Sequence, residues 1–267
     1  MVNNSPIGMF DSGVGGFTLV KEAFNILPNE EIIYFGDTAR SPYGVKTDAE
    51  ILNCCRDIVD FLIQEGVKLI VIACNTATIA SIDTLQKEYN IPIIGVVKPG
   101  IEAALLNGNA EKIGLIGTDF TVNSKKYEEI LLNKNKDLII LGKGCPYLVT
   151  LAEEGVFNNE VSNIAVKKCL KDLIEEDIDT LILACTHFPL HINDIKDIMP
   201  KTVNIVDPAL KTIETTLNLL REKNILREEK VKPQHKFICS GDIESFKKVY
   251  NVIFKEENPI TEIAWNK

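Results

Sequence analysis

The chain's seven cysteines form no CxxC or CxxH pair, so no structural zinc motif is present. Their number is odd and no regular spacing marks a disulfide framework, so mostly reduced thiols in a cytoplasmic chain are expected. No stretch reaches the roughly 18 consecutive apolar residues that a membrane-spanning helix needs, and the short polar opening, Met1–Pro6, has no secretory character. Basic residues are in deficit: 29 Lys and Arg against 38 Asp and Glu leave a formal charge of −9. Such a chain has no general attraction for nucleic acid or anionic lipid. A local pocket for an acidic substrate remains open to it, because a pocket need not share the sign of the whole surface. There is no P-loop, no HExxH and no GxGxxG turn, and no lysine is marked as a pyridoxal-phosphate anchor.

Of the 267 residues, 45% are hydrophobic and 25% charged, the balance of an ordinary globular protein. Short apolar runs alternate with longer amphipathic stretches. The runs are Ile7–Phe10, Ile32–Phe35, Leu69–Ala73, Ile93–Val96, Ile113–Ile116, Leu138–Leu141, Leu181–Ala184, Val203–Val206 and Phe237–Cys239. Lacking polar alternation, they read as parallel strands buried on both faces. Between the second and third, Thr47 and Glu50 form a capping box, and Ile51, Cys55, Ile58, Val59 and Leu62 make one apolar stripe before Gly66. Repeated strand-then-helix units predict a doubly wound α/β fold with mostly parallel sheets.

The sequence also repeats itself. IGMFDS at 7–12 matches IGLIGT at 113–118, and LIVIACNT at 69–76 matches LILACTH at 181–187. Ser12 and Cys74 lie 62 positions apart, and Thr118 and Cys185 lie 67. Two pseudo-symmetric domains are expected, each carrying a hydroxyl turn and a cysteine turn. Lys98-Pro99-Gly100 and Asp207-Pro208 are the expected crossing points, since Pro and Gly break helix and strand. This gives a discontinuous first domain of 1–97 plus 208–267, with 98–207 inserted as the second.

The two cysteine turns carry the strongest chemical signal. Each cysteine is expected to end a buried strand and lead directly into a helix, at the edge where open α/β sheets bind ligands. A helix N-terminus lowers a thiol's pKa. One strand-end cysteine is usually a small buried hydrophobe. Two in matching turns, followed by Asn75-Thr76 and Thr186-His187, point to function. Racemisation needs a base on one face of a carbon and an acid on the other, and two thiols on facing domains supply both.

Other candidates carry weaker signals. Asp11-Ser12-Gly13-Val14-Gly15-Gly16 suits close approach of backbone N–H groups to an anion, or a helix cap. Asp11 could orient an ammonium group or assist a thiol. Tyr43 and Gly44 fall in a turn-rich loop, where a packed surface tyrosine is the ordinary reading. His187 could assist Cys185. Glu153 precedes Gly155 near a helix end, where most charges are merely solvated. His191 and His235 read as surface residues, and Cys54, Cys55, Cys145, Cys169 and Cys239 as structural.

Taken together, DSGVGG (Asp11–Gly16), GDTARSPYG (Gly36–Gly44), ACNTAT (Ala73–Thr78), GVVKPG (Gly95–Gly100) and ACTHFPL (Ala184–Leu190) resemble the bacterial glutamate racemases, from about Ile7 to about Asp242. The resemblance implies two pseudo-symmetric α/β domains with the active site in the cleft between them, and interconversion of L- and D-glutamate without cofactor or metal, supplying peptidoglycan synthesis, in a homodimer. It implies that Cys74 deprotonates the D-isomer and Cys185 the L-isomer. It implies that Asp11, Ser12, Tyr43, Gly44, Asn75, Thr76, Thr186 and His187 contact substrate or support the thiols, with Thr118 and Glu153 near the cleft. Ser41 and Cys239 depart from the family's usual residues. Some relatives carry an N-terminal extension tied to activation by a cell-wall precursor; with ten residues before Asp11, that regulation is not expected here. Closure of the domains around the substrate is expected, with Trp265 as a reporter. The rival readings are a racemase of aspartate or a hydantoin, a binding protein that keeps the fold without turnover, and a thiol-redox protein.

Overall fold

The computed structural model describes residues 4–106, 108–228 and 232–264. Trp265 lies outside the described residues. The elements run β1 (Ile7–Asp11), α1 (Phe17–Ile26), β2 (Ile32–Gly36), α2 (Asp48–Gln64), β3 (Leu69–Ile72), α3 (Asn75–Glu88), β4 (Ile93–Gly95) and α4 (Val97–Leu105). They continue with β5 (Lys112–Gly117), α5 (Asp119–Asn123), α6 (Lys126–Lys134), β6 (Ile139–Gly144), α7 (Pro146–Glu153), α8 (Glu160–Glu175), β7 (Thr180–Ala184) and α9 (Ile192–Ile198). Last come β8 (Asn204–Val206), α10 (Pro208–Glu222), β9 (Lys236–Cys239), α11 (Ile243–Ile253) and β10 (Ile260–Glu262).

Among the described residues the strands form two parallel sheets, ordered β10-β9-β2-β1-β3-β4 and β6-β5-β7-β8. The run β2-β1-β3-β4 and the run β6-β5-β7-β8 follow the same path, so the repeat in the sequence is a repeat of topology. β5 to β8 fall between residues 112 and 206, and the other strands fall outside that interval. Helices cover both faces of the larger sheet. α1, α10 and α11 pack on one side through Phe17, Val20, Ile213 and Phe246, and α2 and α3 on the other through Ile58, Leu62 and Leu85.

The local signals explain the elements. Glu50 N donates to Thr47 Oγ1 at 3.3 Å and Thr47 N donates to Glu50 Oε2 at 2.8 Å, which closes the capping box of α2. Gly66 follows that helix at φ +78°, a conformation costly for a residue with a Cβ. Pro99 and Gly100 do not break the chain as expected. They sit in the first turn of α4, where a proline's missing N–H costs nothing. Gly100 is there for packing, since a Cβ would stand 3.0 Å from Pro208 at the start of α10. β6 is an edge strand with partly exposed residues rather than a fully buried one. β10 was not anticipated because ITE is too short and too polar to register as an apolar run.

Candidate active site

Phe10 pairs with Ile72, so Asp11-Ser12 leave the sheet beside Ala73-Cys74. Gly117 pairs with Ala184, so Thr118 leaves the second sheet beside Cys185. Matching strand ends thus deliver the two thiols. Both are buried, and they line one small cavity with Ser12, Tyr43, Thr118 and Val149. Its volume is about 20 Å³, room for roughly one water.

The two thiols have different surroundings. Cys74 caps α3, with Sγ accepting from Ala77 N at 3.4 Å and lying 3.7 Å from Ser12 Oγ. Burial, and then the nearby Asp11 carboxylate, push its pKa up, against the lowering effect of the Ala77 N–H. The helix N-terminus is present as the sequence suggested, but desolvation wins. Cys185 does not lead directly into an α-helix. Thr186-His187 and a 3-10 turn, Phe188–His191, come before α9. Its partner is an imidazole: His187 Nδ1 lies 3.6 Å from Cys185 Sγ.

His187 in turn meets Glu153, with Nε2 at 2.5 Å from Oε1. Burial alone would drive the imidazole toward its neutral form. The Glu153 charge and the contacts with Glu153 and Cys185 outweigh it and hold the His187 pKa well above the ordinary histidine value. Glu153 also accepts from Val14 N at 3.3 Å, so this helix-end carboxylate reaches the turn that follows β1 rather than only water.

Asp11 is wholly buried. Its carboxylate accepts from Gly13 N and from Thr186 Oγ1, each at 2.9 Å, and burial raises its pKa. The glycines beside it admit an anion from within the chain, the Glu153 carboxylate that accepts from Val14 N. A Cβ on Gly13 would collide with the Glu153 carboxylate, and one on Gly15 would stand 2.8 Å from His187 Nδ1. They allow the second sheet's groups to close against the first.

Opposite them, Thr76 Oγ1 is 3.0 Å from Thr118 Oγ1 and 3.2 Å from Thr121 Oγ1, a cluster of hydroxyls from both sheets. Gly44 fits against Thr118, 2.9 Å from where its Cβ would be. Tyr43 is 1% exposed, not a surface tyrosine, and its hydroxyl donates to Asp37 at 2.5 Å. Asp37 also accepts from Arg40 Nε and Ser240 Oγ, each at 2.7 Å. The Tyr43 hydroxyl proton is therefore committed to Asp37, and the ring walls the cavity.

Sequence reasoning did not single out Asp37, Thr121, Tyr127 or Val149. Thr121 stands three residues after Thr118, a cap spacing that could have marked it; the other three carry no local signal. His191 is fully buried, not on the surface, and donates from Nε2 to Leu148 O at 3.0 Å. His235 is half-buried and stacked on Phe24, and burial pulls its pKa down to about 4. Cys54, Cys55 and Cys239 are buried free thiols. Cys145 and Cys169, expected to be free, form a disulfide between the N-cap of α7 and the body of α8, with their Cα atoms 6.0 Å apart. A separation of 24 residues on two helices leaves no spacing signature. Among the described residues no cluster of three or more His, Cys, Asp or Glu is placed to hold a metal ion, and no helix is long and apolar enough to cross a membrane.

Two doubly wound halves of this topology have counterparts among known proteins. The chain belongs to the Asp/Glu/Hydantoin racemase family, whose profile it matches over residues 18–216. A glutamate racemase of Thermoanaerobacter pseudethanolicus is 41% identical over 256 residues, 96% of each chain. The crystal structure of a glutamate racemase isoform from Bacillus anthracis matches with a TM-score of 0.91 at 36% identity, covering 98% of both chains. That of the Francisella tularensis glutamate racemase in complex with D-glutamate matches at 0.89 and 35% identity, again over 98% of both. The resemblance drawn from the sequence motifs is upheld.

Proposed function

We propose that this protein is a glutamate racemase that interconverts L- and D-glutamate by two-base proton transfer between thiols. The observation that carries this reading is the pair Cys74 and Cys185, delivered by equivalent strand ends to one cavity. One sulfur, as thiolate, takes the α-proton from one face, and the other, as thiol, returns a proton to the opposite face. Cys74 serves the D-isomer and Cys185 the L-isomer, and each turnover exchanges their roles. The His187 imidazolium gives a sulfur anion at Cys185 a donor and a positive charge, while Glu153 holds the ring in place. Ser12, Asn75, Thr76 and Thr118 offer polar donors for two carboxylates, Thr186 holds Asp11 through its hydroxyl, and Asp11 orients the ammonium group or assists a thiol. Base and acid both come from the chain, with no metal or cofactor. The product supplies peptidoglycan synthesis in the cytoplasm, and the working form is a homodimer.

A cavity of about 20 Å³ cannot admit glutamate as it stands. In this reading the two domains, 1–97 with 208–267 and 98–207, part to bind and close to exclude water for the proton transfer, and the small cavity supports it.

Circular dichroism tests the function. Optical activity of D-glutamate, and separately of L-glutamate, is expected to vanish with the protein, at a rate unchanged by chelator. No change in either would sink the substrate assignment and turn attention to aspartate and hydantoins. A second expectation concerns closure. Gly15→Ala places a methyl against Thr186 and against the His187 ring and backbone, so kcat/KM should fall by about tenfold or more, with the melting temperature lowered as well by the overpacking. A catalytically silent Gly15→Ala would mean that the halves need not meet this closely.

A further inference from the structure

Asn75 directly follows Cys74, opens α3 and lines the cavity between the thiols. Its carboxamide is held from the other half of the molecule. Tyr127, on α6, is wholly buried among Val97, Ile101 and Leu131, and its hydroxyl donates to Asn75 Oδ1 at 2.6 Å. A buried phenol needs a polar partner, and among the described residues Asn75 is the one this hydroxyl has. Gly100 lets α4 pass beside it, since a Cβ there would stand 3.4 Å from the Tyr127 oxygen.

A carboxamide can turn either its oxygen or its NH2 toward a given side. To an anionic ligand the two are opposites: the NH2 donates to a carboxylate, and the carbonyl oxygen repels it. With Oδ1 accepting the tyrosine proton, the NH2 is the end left for the cavity. A flipped amide would put its NH2 against the phenol and leave the phenolic proton buried without an acceptor. We propose that Tyr127 is a positioning residue, which fixes the Asn75 carboxamide so that its N–H donors face a carboxylate of the substrate. This rests on the reading of glutamate as substrate. Because the bond joins helices of the two halves, the donor is set by the same closure that brings Cys185 toward Cys74.

The test is a cycle of Tyr127→Phe, Asn75→Ala and the double variant in the full chain, with CD kinetics on both isomers and a melting curve for each protein. Tyr127→Phe is expected to raise KM by about three- to tenfold for both isomers, with kcat changed much less. In the Asn75→Ala background the same Phe substitution should leave KM unchanged, because nothing remains to be oriented. A purely structural tyrosine would act equally in both backgrounds, and that outcome, or an unaffected KM in the single variant, overturns the proposal. Asn75→Asp covers the case in which Tyr127→Phe does not fold. It keeps an acceptor for Tyr127 but replaces the donors with charge, so KM should rise by about tenfold or more over wild type for both isomers, and an unaltered KM would overturn the proposal too. Wild type inactive on both isomers removes the substrate reading and this proposal with it. An active wild type with an unaffected Tyr127→Phe removes the proposal alone.

Discussion

Cys74→Ser and Cys185→Ser should each lower kcat for both isomers by about 1,000-fold, the scale of a lost general acid or base. A serine hydroxyl occupies nearly the same space and keeps most polar contacts, so geometry is largely preserved. It is a far weaker acid than a thiol, so it neither gives up its own proton nor serves as a base near neutral pH. Each thiol acts in both directions, once as acid and once as base, so neither variant should spare one isomer. Cys54→Ala is the control. Cys54 is buried on the inner face of α2 and contributes nothing to the cavity, so its loss should leave the rate near that of wild type. Time courses of CD on D- and L-glutamate decide the matter. Substantial turnover surviving in either serine variant would overturn the two-thiol mechanism while leaving the family assignment intact.

Glu153→Gln is expected to lower kcat/KM near pH 7 by on the order of 100-fold, and to change the shape of the pH profile. The sign follows from the competing effects on His187. Burial disfavours the imidazolium, and the Glu153 charge and the Glu153 and Cys185 contacts more than restore it. With the charge gone and a hydrogen-bonding group kept, burial prevails and the ring loses its proton at lower pH. In wild type the imidazolium persists well above the ordinary histidine value and is lost only as pH rises through that raised pKa. In the variant the alkaline fall in kcat/KM should therefore begin at distinctly lower pH. The measurement is kcat/KM from pH 5 to 10 for both proteins. A profile merely scaled down, with its alkaline limb in place, would show that Glu153 acts by shape and not by charge.

Much of this was legible in the sequence because it rests on local patterns. Apolar runs, the Thr47–Glu50 box and the doubled strand-end turns gave parallel sheets, a repeated topology and the two thiols. What escaped rests on distance in space. Tyr127 meets Asn75 from 52 residues away, and Cys145 meets Cys169 between two helices. The approach of an anion to the turn Asp11–Gly16 was legible because backbone freedom is visible in a sequence, whereas the identity of that anion, the Glu153 side chain from 139 residues away, was not. The Cys74 pKa was read in the wrong direction for a similar reason. The helix N-terminus could be read from the order of residues, but complete burial could not.

The unlike surroundings of the two thiols, one at a helix N-terminus and one beside an imidazole, meet a thermodynamic constraint. The two glutamate isomers are mirror images, so in solution their free energies are equal and the equilibrium constant is one. The Haldane relation then requires kcat/KM to be the same in both directions, however differently Cys74 and Cys185 are held. The asymmetry can appear only in how each direction divides that quantity between kcat and KM. A direction that starts from the better-stabilised complex shows the lower KM and, in equal proportion, the lower kcat. Every substitution at this site, including those on one thiol alone, must obey the same equality.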